Sequence, residues 1–208
     1  MTIASSFSGT APLDDEEKTF SQNDRVPYQI HNTYLVSPIK SGFLLIDQQA
    51  AHERILYERF LQTWMDDQPV IQRALFPETI HLTPTDSAVL DGMMEDIAAL
   101  GYQLKKSGEF EYLVEGVPAD LAEKNAQSII ERLLEQYKSN YELQLDTREN
   151  LARSLARSAA IKRGTALDNS EMRELIDRLF ACAVPYKSPN GRQCFVTFDM
   201  GDLERMFN

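Results

Sequence analysis

The run Phe43-Leu44-Leu45-Ile46, closed by Asp47 and followed by Gln48-Gln49-Ala50-Ala51-His52-Glu53-Arg54-Ile55-Leu56-Tyr57-Glu58, constrains this chain more than any other stretch. Four consecutive apolar residues predict a buried strand that ends at Asp47. From Gln48 to about Gln62 the period changes. Ala51 pairs with Ile55 and Leu56 with Phe60 at i, i+4 spacing, which predicts a helix with one apolar face. Position 49 and Glu53 share a face of that helix, so Asp47, residue 49 and Glu53 point into one small volume. A His at 49 would complete a set suited to zinc or manganese, but this chain has Gln there, a poor ligand.

Around that junction the chain divides into three sections. Residues Met1 to Asp24 carry Ser, Thr, Gly, Pro and the acidic run Asp14-Asp15-Glu16-Glu17, the composition of a disordered linker or tail. Tyr28–Val36 and Gly42–Ile46 are expected as strands joined by a turn at Ser37-Pro38-Ile39-Lys40-Ser41. After a break at Asp66-Asp67-Gln68-Pro69, Phe76–Leu82 is expected as a strand. Thr83-Pro84-Thr85-Asp86 starts a helix that runs through Ile97 and stops at Gly101. Strands near Tyr102–Lys105 and Glu111–Val117 and a helix near Ala126–Tyr137 complete a small α+β unit. The last section is expected to hold a helix near Arg148–Lys162 and a helix capped by Asp168-Asn169-Ser170-Glu171. A loop over Pro185–Arg192, a strand over Gln193–Phe198 and a short helix over Asp202–Met206 follow.

Of 208 residues, 43% are hydrophobic and 25% charged, enough for a substantial core in a globular protein. No apolar run is long enough to span a membrane and the N-terminus lacks a secretion signal, so the cytoplasm is the expected compartment. Cys182 and Cys194 are too few for a disulfide framework and are expected in the core rather than as ligands. The net charge of −11 repels nucleic acid overall. Locally, Arg148, Arg153, Arg157, Lys162 and Arg163 face only Glu149, with Lys187 and Arg192 further on. Arg153, Arg157, Lys162, Arg163 and Arg192 are therefore the candidates for a weak DNA contact, against the plainer expectation of a solvated helix face.

Three ordered segments give the chain a family resemblance. Gln29-Ile30-His31-Asn32-Thr33-Tyr34-Leu35 leads through Leu45-Ile46-Asp47-Gln48 into Ala50–Glu58, close to the signature Asp-Gln-His-Ala-x-x-Glu-x-x-x-x-Glu. Ala160-Ile161-Lys162 is followed by Leu167 and Glu171-Met172. Ser188-Pro189-Asn190-Gly191-Arg192 stands where many relatives have Cys-Pro-His-Gly-Arg. Together these resemble the C-terminal domain of the MutL mismatch-repair family. The resemblance implies an α+β fold with a dimerisation subdomain built from both ends (25–66 and 147–208) and an inserted regulatory subdomain (67–146). It implies a bacterial homodimer, an upstream ATPase domain joined by a linker that ends in 1–24, and partnership with a mismatch-recognition protein of the MutS family. The chain has no phosphate-binding Gly-rich loop, so this part is not expected to hydrolyse ATP.

Endonuclease-type members of the family nick DNA with divalent metal bound in this region. Carried over residue by residue, the motif's carboxylates match Asp47, Glu53 and Glu58. Its His falls on Gln49, the loop Cys and His fall on Ser188 and Asn190, a further Cys falls on Arg157, and the closing Phe-x-Arg is replaced by Met206-Phe207-Asn208. The implied site keeps its carboxylates and loses its soft ligands, with Arg157 expected to neutralise Asp47 or Glu53. The expectation is no catalytic residue, no metal and no cofactor. The rival is an active manganese- or zinc-dependent nicking endonuclease, or carboxylates that still hold magnesium or manganese weakly. His52, one position from Glu53 and so turned about 100° around the helix, is expected to face elsewhere. Finally, Gln72-Arg73-Ala74-Leu75-Phe76 looks like the short peptide by which repair proteins dock onto a bacterial sliding clamp, with Gln72, Leu75 and Phe76 as anchors. The alternative is that Leu75 and Phe76 belong to a strand packed in the core.

Overall fold

The computed structural model describes residues 26–66, 69–121, 125–140 and 146–208. The expected N-terminal tail (1–24) lies outside the described residues, as do positions 67 and 68 of the expected break. The junction forms as anticipated. Strand β3 (Gly42–Asp47) runs directly into α1 (Gln48–Asp66), because the continuous apolar run ends at Asp47 and the 3.6-residue period starts at Gln48. The expected single strand over Tyr28–Val36 is instead a hairpin. β1 (Tyr28–Ile30) turns at His31-Asn32-Thr33 into β2 (Tyr34–Ile39). His31 and Asn32 have φ of 50° and 47°, a left-handed pair that reverses the chain where continuous β structure was expected. β2 then extends to Ile39, leaving only Lys40 and Ser41 as the turn.

β7 (Phe195–Asp199) joins this group, giving an antiparallel sheet of order β1-β2-β3-β7. Leu35, Ile46 and Phe195 line up across neighbouring strands and face a core with Ala50, Ala51 and Ile55 of α1 and Met172, Leu175 and Leu179 of α6 (Asn169–Ala181). The α6 start is the expected capping box. Asp168 accepts from the Ser170 and Glu171 N–H groups while Glu171 accepts from the Asp168 N–H.

A second sheet, β4-β6-β5, is formed by β4 (Ile71–His81), β6 (Glu111–Pro118) and β5 (Gln103–Lys106). One expected helix between β4 and β5 is two, α2 (Pro84–Asp91) and α3 (Met94–Ala99), because the chain breaks at Gly92-Met93. Helices α4 (Ala126–Ser139) and α5 (Thr147–Ala159) pack with this sheet. Their buried Ile129, Ile130, Leu133, Leu134, Leu151 and Leu155 share a hydrophobic cluster with Ile80, Tyr102 and Tyr112, and Leu56 and Phe60 of α1 reach into it. α5 ends three residues short of the expected Lys162, where Ala160 turns extended. The fold is α+β, with two sheets and two hydrophobic clusters bridged by α1. The C-terminal helix α7 (Met200–Phe207) buries none of its residues. Among the described residues, no helix is long and apolar enough to cross a membrane.

Candidate functional site

Asp47 closes β3 and caps α1, its Oδ1 accepting the Ala50 N–H at 2.9 Å. Its Oδ2 lies 2.9 Å from Nη2 of Arg163 and 3.8 Å from Nη1 of Arg192. The Arg163 guanidinium is held more firmly protonated by that hydrogen bond to Asp47. Glu53, one turn and a half into α1, is only 1% exposed. Its Oε1 accepts from Arg192 Nη2 at 3.0 Å and its Oε2 from Asn190 Nδ2 at 3.4 Å. Glu58 points away from this pair. Its two oxygens accept the Ala183 and Val184 N–H groups at 2.7 and 3.0 Å, pinning the chain that leaves α6.

The loop that brings Arg192 here is tightly made. Ser188 and Arg192 exchange a backbone bond of 2.8 Å, and the Arg192 N–H also donates to Ser188 Oγ at 3.2 Å. Gly191 supplies the turn at φ +79°, a conformation that L side chains rarely adopt. Two further guanidinium groups tie the loop down from outside. Arg54 Nε donates to the Lys187 carbonyl at 2.5 Å and Arg153 Nη1 to the Pro189 carbonyl at 2.6 Å. Arg54, almost wholly buried, escaped notice in the sequence because a charged residue on a helix is ordinarily solvent-facing.

The structure brings Asp47, Glu53, Asn190 and Arg192 together, as the motif spacing implies, but assigns the neutralising cation differently. Arg157 was expected to satisfy Asp47 or Glu53. It is exposed, and Arg192 and Arg163 make those ion pairs. Arg157 falls on the outer side of α5, while Gly191 turns Arg192 inward. The donor set does not fit zinc. Both oxygens of Glu53 and of Glu58 are engaged by guanidinium, amide or backbone N–H groups, and Ser188 Oγ accepts from its own loop. Gln49 offers only a neutral amide. Among the described residues, no three His, Cys, Asp or Glu side chains are grouped as a metal site requires.

His52 faces elsewhere, as expected from its helical position. Its Nδ1 accepts the Ile161 N–H at 2.9 Å. Gln48, fully buried, extends the same function. Its Nε2 donates to the carbonyls of Asn32, Lys162 and Thr165 at 3.0, 3.2 and 3.1 Å, and its Oε1 accepts from Gln29 at 2.6 Å. These signature residues therefore position the turn after α5. Among the DNA candidates, Arg153 is engaged by Glu149, Arg163 by Asp47 and Arg192 by Glu53, while Lys162 and Arg157 are exposed. Cys194 is buried in the core of the first sheet and Cys182 is partly buried beside it. Burial pushes their thiols up to about 12 and about 11, so neither offers a thiolate near neutral pH.

The other segment singled out by sequence lies in β4. Its pairing with β6 shifts between Arg73 and Glu78, so Ala74-Leu75-Phe76-Pro77 leaves the ladder. Leu75 and Phe76 are 91% and 90% exposed. The alternative that they pack in the core is excluded.

The family model described as the MutL C-terminal dimerisation domain matches residues 28–167. The DNA mismatch repair protein MutL of Chlorobaculum parvum is 37% identical over 96% of this chain and 32% of its own length. Its namesake in Chloroherpeton thalassium is 40% identical over 93% of this chain and 30% of its own. The chain thus spans about a third of the length of the relatives it matches. With the strand-to-helix junction, the turned Ser188–Arg192 loop and the two-sheet fold all in place, the chain belongs to the MutL C-terminal dimerisation domain family.

Proposed function

We propose that the chain is the homodimerising and partner-docking part of a mismatch-repair protein, and that its acidic junction is a structural clamp that does not cut DNA. The observation that carries the dimer is the second face of the four-stranded sheet. The register places Tyr28, Val36, Leu45 and Val196 in one row and Pro38, Phe43 and Phe198 in the next, all on the face opposite Leu35 and Ile46. Phe43 and Phe198 stack with centroids 5.0 Å apart. An antiparallel sheet with one wet face alternates apolar with polar residues; this one is apolar on both faces. On the second face Val36 is already buried while Phe43, Leu45, Val196 and Phe198 are half-buried and Tyr28 is exposed, leaving apolar surface for cover. A second copy across a two-fold axis supplies it with the same surface. Sedimentation equilibrium should give twice 23.7 kDa for the chain. The double substitution Leu45→Glu, Val196→Glu should give a monomer with unchanged far-UV circular dichroism. A dimer that survives both charges contradicts the interface.

The exposed bulge over Ala74–Pro77 supports sliding-clamp docking. Two large apolar side chains exposed on a bulge that leaves the ladder suit insertion into a partner's pocket, with Gln72 beside them as a polar anchor. Gln72→Ala with Phe76→Ala should abolish capture by a bacterial sliding clamp without lowering the melting temperature, and full retention of binding would refute the assignment. The MutS-family partner of the wider protein is part of the same reading, with no surface assigned to it. Loss of nicking activity is inferred from the donor set. A metal ion would have to displace Arg192 from Glu53 and Arg163 from Asp47, and Gln49, Ser188 and Asn190 bring no soft ligand to offset that.

A further inference from the structure

A recess of about 320 Å³ opens where the start of α4 meets the end of α5, lined by Arg132, Lys162, Asn125, Ser128, Ser158 and Thr165 among others. We propose that this recess binds a phosphate group, one phosphodiester of a DNA backbone laid across the α4–α5 end of the domain. The choice of DNA over a free anion rests on the mismatch-repair reading; the anion site itself does not.

The lining sets the recess apart. In a chain with 32 acidic and 21 basic residues, Arg54, Lys106, Lys138, Arg148, Arg153, Arg163, Arg178, Arg192 and Arg205 pair with a carboxylate. Other described cations also lack such a pair, and of these Arg132 and Lys162 share one recess. Among the described residues, no carboxylate pairs with Arg132 or Lys162, and none lines the recess. Two cations lining one recess with no acid in its lining make its potential positive and suited to an anion. Arg132 is also preset, its Nε donating to the Ser128 carbonyl at 2.9 Å. That contact leaves the guanidinium's remaining N–H groups for a bidentate oxyanion contact. Hydroxyls of Ser128 and Thr165 add donors of the kind that bind phosphate oxygens.

The far wall is rigid. The turn carrying Lys162 and Thr165 is held by Gln48 through both their carbonyls, by Gln29 through the Thr165 carbonyl at 2.9 Å, by His52 through the Ile161 N–H, and by a Gly164 N–H to Asn32 carbonyl bond of 2.8 Å. A cavity whose cations sit on fixed backbone loses little entropy on binding. Of the expected set this keeps Lys162 and adds Arg132, which the sequence did not single out, while Arg153, Arg163 and Arg192 are already neutralised.

The test uses the full chain and a fluorescein-labelled DNA duplex, titrated by anisotropy over a series of salt concentrations. Arg132→Gln with Lys162→Gln should weaken binding about tenfold at low salt and reduce the slope of log K against log salt by about 0.9, the share of one phosphate. The charge-matched control Lys40→Gln with Lys105→Gln should leave that slope in place. Sedimentation of the same samples reports the dimer, so a loss of DNA binding with the dimer intact is separate from failure of the dimer reading. An unchanged affinity and slope in the recess variant, or no binding by the unsubstituted chain at low salt, overturns the proposal. Inorganic phosphate added alone is the second arm. Shifts in the Lys162 and Thr165 amide resonances without any DNA effect assign the recess to a free anion and overturn the DNA assignment.

Discussion

Replacing Arg192 by Met removes the cation from a carboxylate that is 1% exposed. Glu53 then keeps a single polar contact, the 3.4 Å donation from Asn190. Breaking a fully buried pair on one side costs about 3–5 kcal/mol. The Arg192 side chain is 36% exposed, so water reaches its outer end and screens part of the pair. About 2–3 kcal/mol is the cost expected after that discount. At about 2–4 °C per kcal/mol for a chain of this size, the melting temperature should fall by about 4–12 °C. The reverse truncation is milder. Glu53→Gln leaves an amide that still accepts from Arg192, whose charge retains water and Asp47 at 3.8 Å, for a cost of about 1 kcal/mol. Combining the two should recover most of the loss, because no buried charge then stands alone. Thermal melts of the three variants, with hydrogen exchange at Ser188 and Arg192 amides, read all of this. An Arg192→Met variant that melts with the unsubstituted chain, or with Glu53→Gln, refutes the role given to this pair.

Cys182 and Cys194 should be slow to alkylate under native conditions. With the Cys182 thiol pushed up to about 11 by burial and by Glu58, its thiolate fraction at pH 8 is about a thousandth, and labelling at the rate of a free thiol contradicts the packing. The second sheet should weaken in acid. Hydrogen bonds from Lys138 and Thr83 depress Asp86, and hydrogen bonds from Lys106 and Tyr112 depress Asp91. A depressed carboxylate stabilises the fold above its unfolded pKa and loses that contribution as pH falls through the folded one. The loss should therefore begin below about pH 4 and be smaller in Lys106→Met and Lys138→Met. An acid limb that these substitutions leave unchanged counts against it.

The junction was legible because two local periods meet there, and local periods are what a sequence displays most directly. Apolar spacing located β3 and α1, and the polar pattern Asp168-Asn169-Ser170-Glu171 located the start of α6. The misplaced cation shows where that reasoning ends. Arg157 and Arg192 are equally basic, but only Gly191 with its left-handed turn sends one of them to a carboxylate 139 residues away. The hairpin at His31-Asn32 was hidden because neither residue demands a left-handed backbone, though Asn tolerates one. Leu75 and Phe76 looked equally suited to a core. Pro77, which cannot donate to a ladder, was the available sign that this part of β4 leaves its partner strand. The two-sided apolar character of the first sheet required the register, since which residues share a face depends on pairing across distant strands.

The central claim is that arginine, not metal, neutralises the acidic junction of this dimerisation domain. Incubation of the chain with supercoiled plasmid and manganese tests it most directly, with Asp47→Asn and Arg192→Met run alongside. The account predicts no conversion to nicked circles above the protein-free control in any of the three. Nicking by the unsubstituted chain that disappears in Asp47→Asn would contradict it.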